Sequence, residues 1–474
     1  MRYLVGRRHR IGRSGVVFAL AFALYAAGAH PRVFAAGNDA SRWAQIESLV
    51  DYGSTSIERS RFAATVDRVE VGGRVYSNKP PLLSLAGAAI YAPLRGLTGW
   101  RLGDPATGGR MIALLTILLV ALPAAACVAQ FDHELGRFER LGGAARNALT
   151  AALGAGTLVL SYSGTLNNHV PAAALLFAAF AATLGGRPLA AGLACGFAGA
   201  VDFLPGFGLA PFLGWALLRD APDAGRRAAR FAAGVAAGLA AALLANLAVT
   251  GSVLPPKMLA GAVDFSAQAG PSWWGVVLPQ DASYPVEVLL GPHGLFLVSP
   301  VLLLGVAGWM RAIRAAPFAP VSLYRAVALG LVCQVVGHAL LAGSYGGWSY
   351  GFRYLLPIQP ILLFAAPLAI ETGLGRLALA ATLPPSILFA ALGAYHPWPP
   401  GFEQETRRDP IATQVTNPIG GNAAAWAAEH RPASAAAEWL GDRYVSRDAA
   451  MRRRYFVYFF GSKGDLATMR KFAR

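Results

Sequence analysis

Negative charge is scarce in this chain: 25 Asp and Glu among 474 residues, against 41 Lys and Arg, with charged residues of both signs at only 14%. A soluble domain carries about a quarter charged residues, so an ordinary water-facing surface is excluded. Cysteine is scarce too. Cys127, Cys195 and Cys333 all fall in apolar runs, without CxxC spacing, which leaves no case for thiolate metal or redox chemistry. Internal repeats are missing, as is any basic module interleaved with aromatics. The net charge of +16 is therefore not the footprint of a nucleic-acid binder.

What is present is apolar. Hydrophobic residues make up 55% of the sequence, in runs near the length that crosses a bilayer. The first run, 15–34, follows five Arg that keep the N-terminus in the cytoplasm. Although Phe34-Ala35-Ala36 imitates a cleavage site, the many later spans favour an uncleaved first span. Further spans are expected at 110–128, 148–165, 169–185, 188–201, 205–218, 230–250, 293–313, 325–342, 354–370 and 375–395.

The segment 81–97 is short, contains Pro93 and ends near Arg95. Treating it as interfacial places the Arg-bearing loops 130–147, 186–188, 219–230, 311–325 and 371–376 all inside; treating it as a span inverts them. The fold class is thus an all-α polytopic membrane protein of about eleven spans, within a range of about ten to thirteen, with a large first outer loop at 35–109. The membrane domain covers 1–395. The tail 396–474 is a small extracytoplasmic domain or partly ordered appendage.

Polar oddities concentrate in the outward segments. In 37–54, Asn38 or Asp39 caps an amphipathic helix with Trp43 and Ile46 on one face, which would lie on the outer membrane surface. Alternating Val66, Val69, Val71 and Val75 around Gly72-Gly73 read as an extended excursion or hairpin. It delivers Tyr76, Asn78 and Lys79 to Pro80-Pro81. A lysine at an interface is commonly a snorkelling anchor, but the two prolines hold this ammonium at a defined place, as phosphate binding requires.

The order of these features resembles the GT-C superfamily of integral-membrane glycosyltransferases, in particular bacterial relatives of protein O-mannosyltransferases and lipid A aminoarabinose transferases. The resemblance rests on Asp39 and Arg42 after the first span, Tyr76-Ser77-Asn78-Lys79-Pro80-Pro81, SGTLNNHVPAA at 163–173 and GGWSYGFRYLLPIQP at 346–360. It implies a polyprenyl-phosphate-linked sugar donor, a lipid, glycan or protein acceptor, and transfer at the extracytoplasmic face of the inner membrane. The catalytic acid maps to Asp39 and the phosphate-contacting lysine to Lys79. The sequence departs from the family at Asn78 and at Asn167-Asn168-His169, where acidic residues are usual.

Glycosyl transfer from a lipid phosphate needs a base for the acceptor hydroxyl and cations for the leaving phosphate. Asp39 is the expected base, and Asp67 its rival for that role or a metal's, unless Asp67 is merely solvated. Lys79 and Arg353 are the expected phosphate ligands, and Arg353 can clamp bidentately. His169 binds the phosphate, joins Asp39 on a divalent metal, or caps a helix; Tyr76 belongs with the phosphate group. Arg42, Asn78, Asn168 and Asp202 line the site. The sequence points to no particular cofactor, and a divalent metal is compatible. The adjacent Trp273-Trp274, with Asp281 and Glu287 in loop 251–292, anchor at the interface or cover the donor. Rival readings are a transporter or flippase, for which Gln334 and His338 are the only mid-span polar residues, and a non-catalytic scaffold with a decayed site.

Overall fold

The computed structural model describes residues 11–34, 37–219, 221–265, 272–273, 276–277, 283–315, 318–341, 349–400 and 417–473. The N-terminal arginines before residue 11, Trp274, Asp281 and Tyr345 to Trp348 lie outside the described residues. The architecture is helical, and the protein is a multi-pass membrane protein.

Four helices, Gly108–Leu135, Ala224–Thr250, Val321–Leu340 and Gly373–Tyr395, are long and apolar enough to cross a bilayer alone. The second and fourth bury only 28% and 22% of their apolar windows in the protein, so their remaining leucines and alanines face lipid. A bent pair, Tyr284–Val298 and Leu302–Ala315, joined at 100°, is a broken crossing or a re-entrant element, and shorter apolar helices fill the bundle.

Several expected continuous spans are interrupted. The first helix, Ile11–Ala27, stops short of residue 34. The run 148–165 divides into Gly143–Ala155 and Leu158–Ser163, the latter capped by Thr157. The run 354–370 divides into a 3-10 turn, Arg353–Ile358, and the short helices Gln359–Phe364 and Ala366–Ile370. Pro357, Pro360 and Pro367 each lack a backbone donor, and proline rings crowd the preceding turn, which breaks the ladder. Pro123 is tolerated differently, by a π-helical turn at Ile117–Ala121 just before it.

Tight packing comes from small residues. A Cβ on Gly192 would meet the Phe231 carbonyl oxygen at 2.2 Å, and one on Gly238 would meet the Gly196 carbonyl carbon at 2.0 Å. Pro188–Val201 and Ala224–Thr250 therefore approach backbone to backbone, the glycine-mediated contact that replaces the hydrophobic effect between membrane helices.

Segment 37–109 differs most from its expected form. Gly37–Asp51 is a helix, but Asn38, Asp39, Ser41, Arg42, Gln45, Glu47 and Ser48 are buried along with Trp43 and Ile46. It is an interior element rather than a surface-lying amphipathic one. Asp39 sits in its first turn instead of ahead of it. Leu82–Thr98 packs beside it as a helix, with Arg95 bonded to Asp51 at 2.9 Å.

Between them, strands Arg68–Val71 and Arg74–Ser77 pair antiparallel through Gly72 and Gly73, whose φ of 58° and 76° suit a tight hairpin turn. A third strand, Val263–Asp264, joins from the loop 251–292. The tail is ordered between 417 and 473 as four helices, Pro418–His430, Ala435–Tyr444, Ala449–Ser462 and Leu466–Ala473, around buried Tyr455, Phe456, Phe459 and Phe460.

Candidate active site

Five stretches of the chain meet at one buried cluster of charge. The helix Gly37–Asp51 supplies Asp39 and Arg42 one turn apart, and the hairpin supplies Asp67 and Lys79. The helix start at His169 and the turn at Asp202 supply the rest with Arg353, which Gly351, at φ 72°, turns into the interior.

Arg42 is fully buried, and its Nη2 donates to Asn168 Oδ1 at 2.8 Å, while Nε and Nη1 have no protein acceptor. Arg353 is 6% exposed. Its guanidinium lies over the rings of Trp398 at 4.9 Å and Tyr354 at 5.2 Å, with Nε and Nη1 again without acceptors. An anchor snorkelling to the interface would keep its head in water, so that role does not apply to Arg353.

Lys79 Nζ is 2.8 Å from Asp67 Oδ2. Asp67 is accordingly an ion-pair partner and not a solvated surface group. His169 Nδ1 meets Asp202 Oδ2 at 2.7 Å, leaving Nε2 buried and without a partner. The carboxylate fixes which ring nitrogen carries hydrogen, so a neutral His169 offers Nε2 as an acceptor and a protonated one offers it as a donor.

Asp39 is inaccessible to solvent. Phe34 N donates to its Oδ2 at 3.0 Å and Ala40 N to its Oδ1 at 2.8 Å. Burial pushes its carboxyl up to about 8, against the pull of those two N–H groups and of Arg42. Burial likewise lowers Lys79 to about 8, with Asp67 opposing and Arg353 and Arg42 assisting. Asp67 is held below the usual carboxylate range because Lys79, Arg353 and Arg42 outweigh its burial. Burial thus sets the direction at Asp39 and Lys79, disfavouring the charged form of each, whereas at Asp67 the neighbouring cations prevail.

Not every expected residue arrives there. Tyr76 packs with Val69 and Val249 and beneath Arg74. Its neighbour Ser77, on the opposite face of the strand, meets Ser41 Oγ at 2.6 Å, and Ser41 Oγ donates to the Asp67 carbonyl. Strand alternation could have indicated Ser77 once the hairpin register was known. Asn78 donates to Asp264 at 3.1 Å and so ties the hairpin segment to the loop 251–292. Tyr354 and Trp398 were missed, since aromatic residues beside spans are common and only the fold sets these two against Arg353. Among the described residues, no group of three His, Cys, Asp or Glu is placed to hold a metal ion.

No family model and no curated protein matches this sequence. Among solved structures, ArnT from Cupriavidus metallidurans in the apo state superposes with a TM-score of 0.51 at 16% identity, covering 97% of this chain and 75% of that one. The same protein bound to undecaprenyl phosphate gives 0.50 at 15% identity, covering 98% and 74%. The chain shares the overall fold of these structures. That likeness runs over nearly the whole chain, the helices of 417–473 included.

Proposed function

We propose that the protein is a glycosyltransferase that moves a sugar from a polyprenyl-phosphate-linked donor to an envelope lipid, glycan or protein acceptor at the extracytoplasmic face of the inner membrane. The observation that carries this reading is the pair of buried guanidiniums, Arg42 and Arg353, each with two N–H-bearing nitrogens lacking an acceptor. Buried cationic donors are costly unless something pairs with them, and a phosphate is the acceptor their geometry suits. The shared fold with a protein solved with undecaprenyl phosphate supports the lipid carrier.

In the reaction, an acceptor hydroxyl oxygen attacks the sugar's anomeric carbon and the bond from that carbon to the phosphate oxygen breaks, its electron pair remaining on the phosphate. The hydroxyl proton passes to Asp39. A carboxyl near 8 sits close to ambient pH, where a base is both available and strong enough to accept. Arg42 and Arg353 stabilise the growing phosphate charge, His169 bonds the phosphate or a sugar hydroxyl, and Lys79, held by Asp67, completes the positive wall.

The test is genetic and chemical. Deleting the gene should remove a sugar from one envelope glycan, which wild type restores and Asp39→Asn or Arg353→Ala does not. Full restoration by both variants would overturn the assignment.

A further inference from the structure

The C-terminal helices lie close to the site through a continuous set of buried contacts. Phe34, whose N–H donates to Asp39, is fully buried between two imidazoles: His30 at 5.0 Å and His396 at 5.1 Å between ring centroids. His396 in turn rests on Phe459 of the tail at 4.5 Å, and its Nε2 meets Ser462 Oγ at 3.1 Å. Asn422 donates to the His396 carbonyl at 3.0 Å, and Arg32 lies 3.7 Å from Asp465.

Two residues further along the connector, Trp398 sits beneath Arg353, and its Nε1 donates to Thr165 Oγ1 at 3.1 Å. Segment 28–34 has no regular helix or strand of its own to hold it, apart from a turn at its start. Its shape is set instead by what packs on it: His30 N donates to Gly164 O at 2.9 Å, and the tail covers the other side.

We propose that the tail, 417–473, with its connector residues His396 and Trp398, is a positioning element of the active site: Phe459 and His396 hold the Phe34 N–H on Asp39, and Trp398 holds the Arg353 guanidinium toward the phosphate. This rests on the reading of Asp39 and Arg353 given above. The tail is thus a working part of the site rather than an appendage or an independent acceptor-binding module. An N–H donated to a carboxylate favours its ionised form, so releasing Phe34 should raise the Asp39 titration. Arg42, one turn along the same helix, is the charged side chain acting on Asp39 directly, with Asp67, Asp202 and Arg353 acting on Arg42; His30 and His396 face Phe34, with Arg32 and Lys463 near His30.

The experiment uses the full-length protein in detergent. The infrared carboxyl band that disappears in Asp39→Asn is titrated in wild type, Phe459→Leu, His396→Ala and Trp398→Leu, and undecaprenyl phosphate binding is measured on each. Phe459→Leu and His396→Ala should move the Asp39 midpoint up by about one unit and speed amide exchange across 28–34. Trp398→Leu should leave the midpoint in place and weaken undecaprenyl phosphate binding about fivefold. Trp439→Ala, on the exposed face of the tail, should change neither.

An unmoved midpoint together with unchanged exchange in both tail-side variants would overturn the proposal. Should a tail variant lose its fold, Ser462→Ala, which removes only the hydroxyl on His396, must still speed exchange at 28–34. Rescue of glycan transfer by Asp39→Asn would sink the functional reading while leaving these two readouts to decide the positioning role.

Discussion

Asp132 and Arg353 are both buried charges in the same bundle, yet their surroundings differ in kind. Asp132, near the start of the first helix, accepts from Arg13 Nη2 at 2.7 Å, Arg146 Nη2 at 2.8 Å and Thr150 Oγ1 at 3.0 Å. Its two arginines keep about a quarter to a third of their side-chain surface exposed. Every lone pair is used and every cation reaches solvent.

Elsewhere in the same bundle, Arg42 and Arg353 are buried with nitrogens that no protein atom accepts from. A satisfied cluster of this kind ties helices together, whereas an unsatisfied one costs stability and is retained where a ligand completes it. On the function proposed above, the contrast is between charge that ties the helices together and charge left open for a ligand.

Four experiments can break or sharpen that contrast. The largest effect is expected at the outer cluster: Asp39→Asn and Arg353→Ala should each lower glycan transfer by at least about a hundredfold, measured with the donor once identified, while thermal unfolding stays put or shifts upward. Next, Asp132→Ala should destabilise the protein by about 3–5 kcal/mol, because two arginines lose a buried acceptor. The surviving folded fraction should keep a normal KM, and a changed KM would erase the division between the two clusters.

Third, the pH profile of transfer should be narrow. Asp39 must be ionised, so the rate falls as pH drops below about 8; Lys79 must stay charged, so the rate falls as pH rises above about 8. Lys79→Arg should remove the alkaline limb and leave the acid limb in place, and a profile flat from about pH 6 to about pH 10 would contradict both assignments. The smallest effect belongs to an exposed pair: Arg227→Ala breaks a contact with Asp223 at 2.6 Å, and the melting temperature should not move measurably.

Much of the architecture was legible because bilayer thickness imposes a length on apolar runs and because arginine marks one side of them. The hairpin at Gly72-Gly73 was legible from two glycines between alternating valines. Asp39, Lys79, His169 and Arg353 stood out as polar residues at span ends. Interrupted helices were harder to foresee. Pro357 and Pro360 are visible in sequence, but whether proline kinks a helix, ends it or is absorbed by a π-turn depends on the neighbours available to take the freed carbonyls. The helix Gly37–Asp51 misled for a related reason: its apolar face resembles that of a surface helix, and only burial of its polar face shows it to be interior.

Composition and pattern by themselves determined that this chain enters a membrane and crosses it many times, since both follow from local hydrophobicity. Which charges pair and which remain open was decided only by the tertiary structure. Lys79 and Asp67 are close in sequence, but Arg42 with Asn168, His169 with Asp202, and Arg353 with Trp398 lie between 33 and 126 positions apart. Electrostatic and hydrogen-bond energies depend on distances of a few ångströms, which are set by packing and not by spacing along the chain.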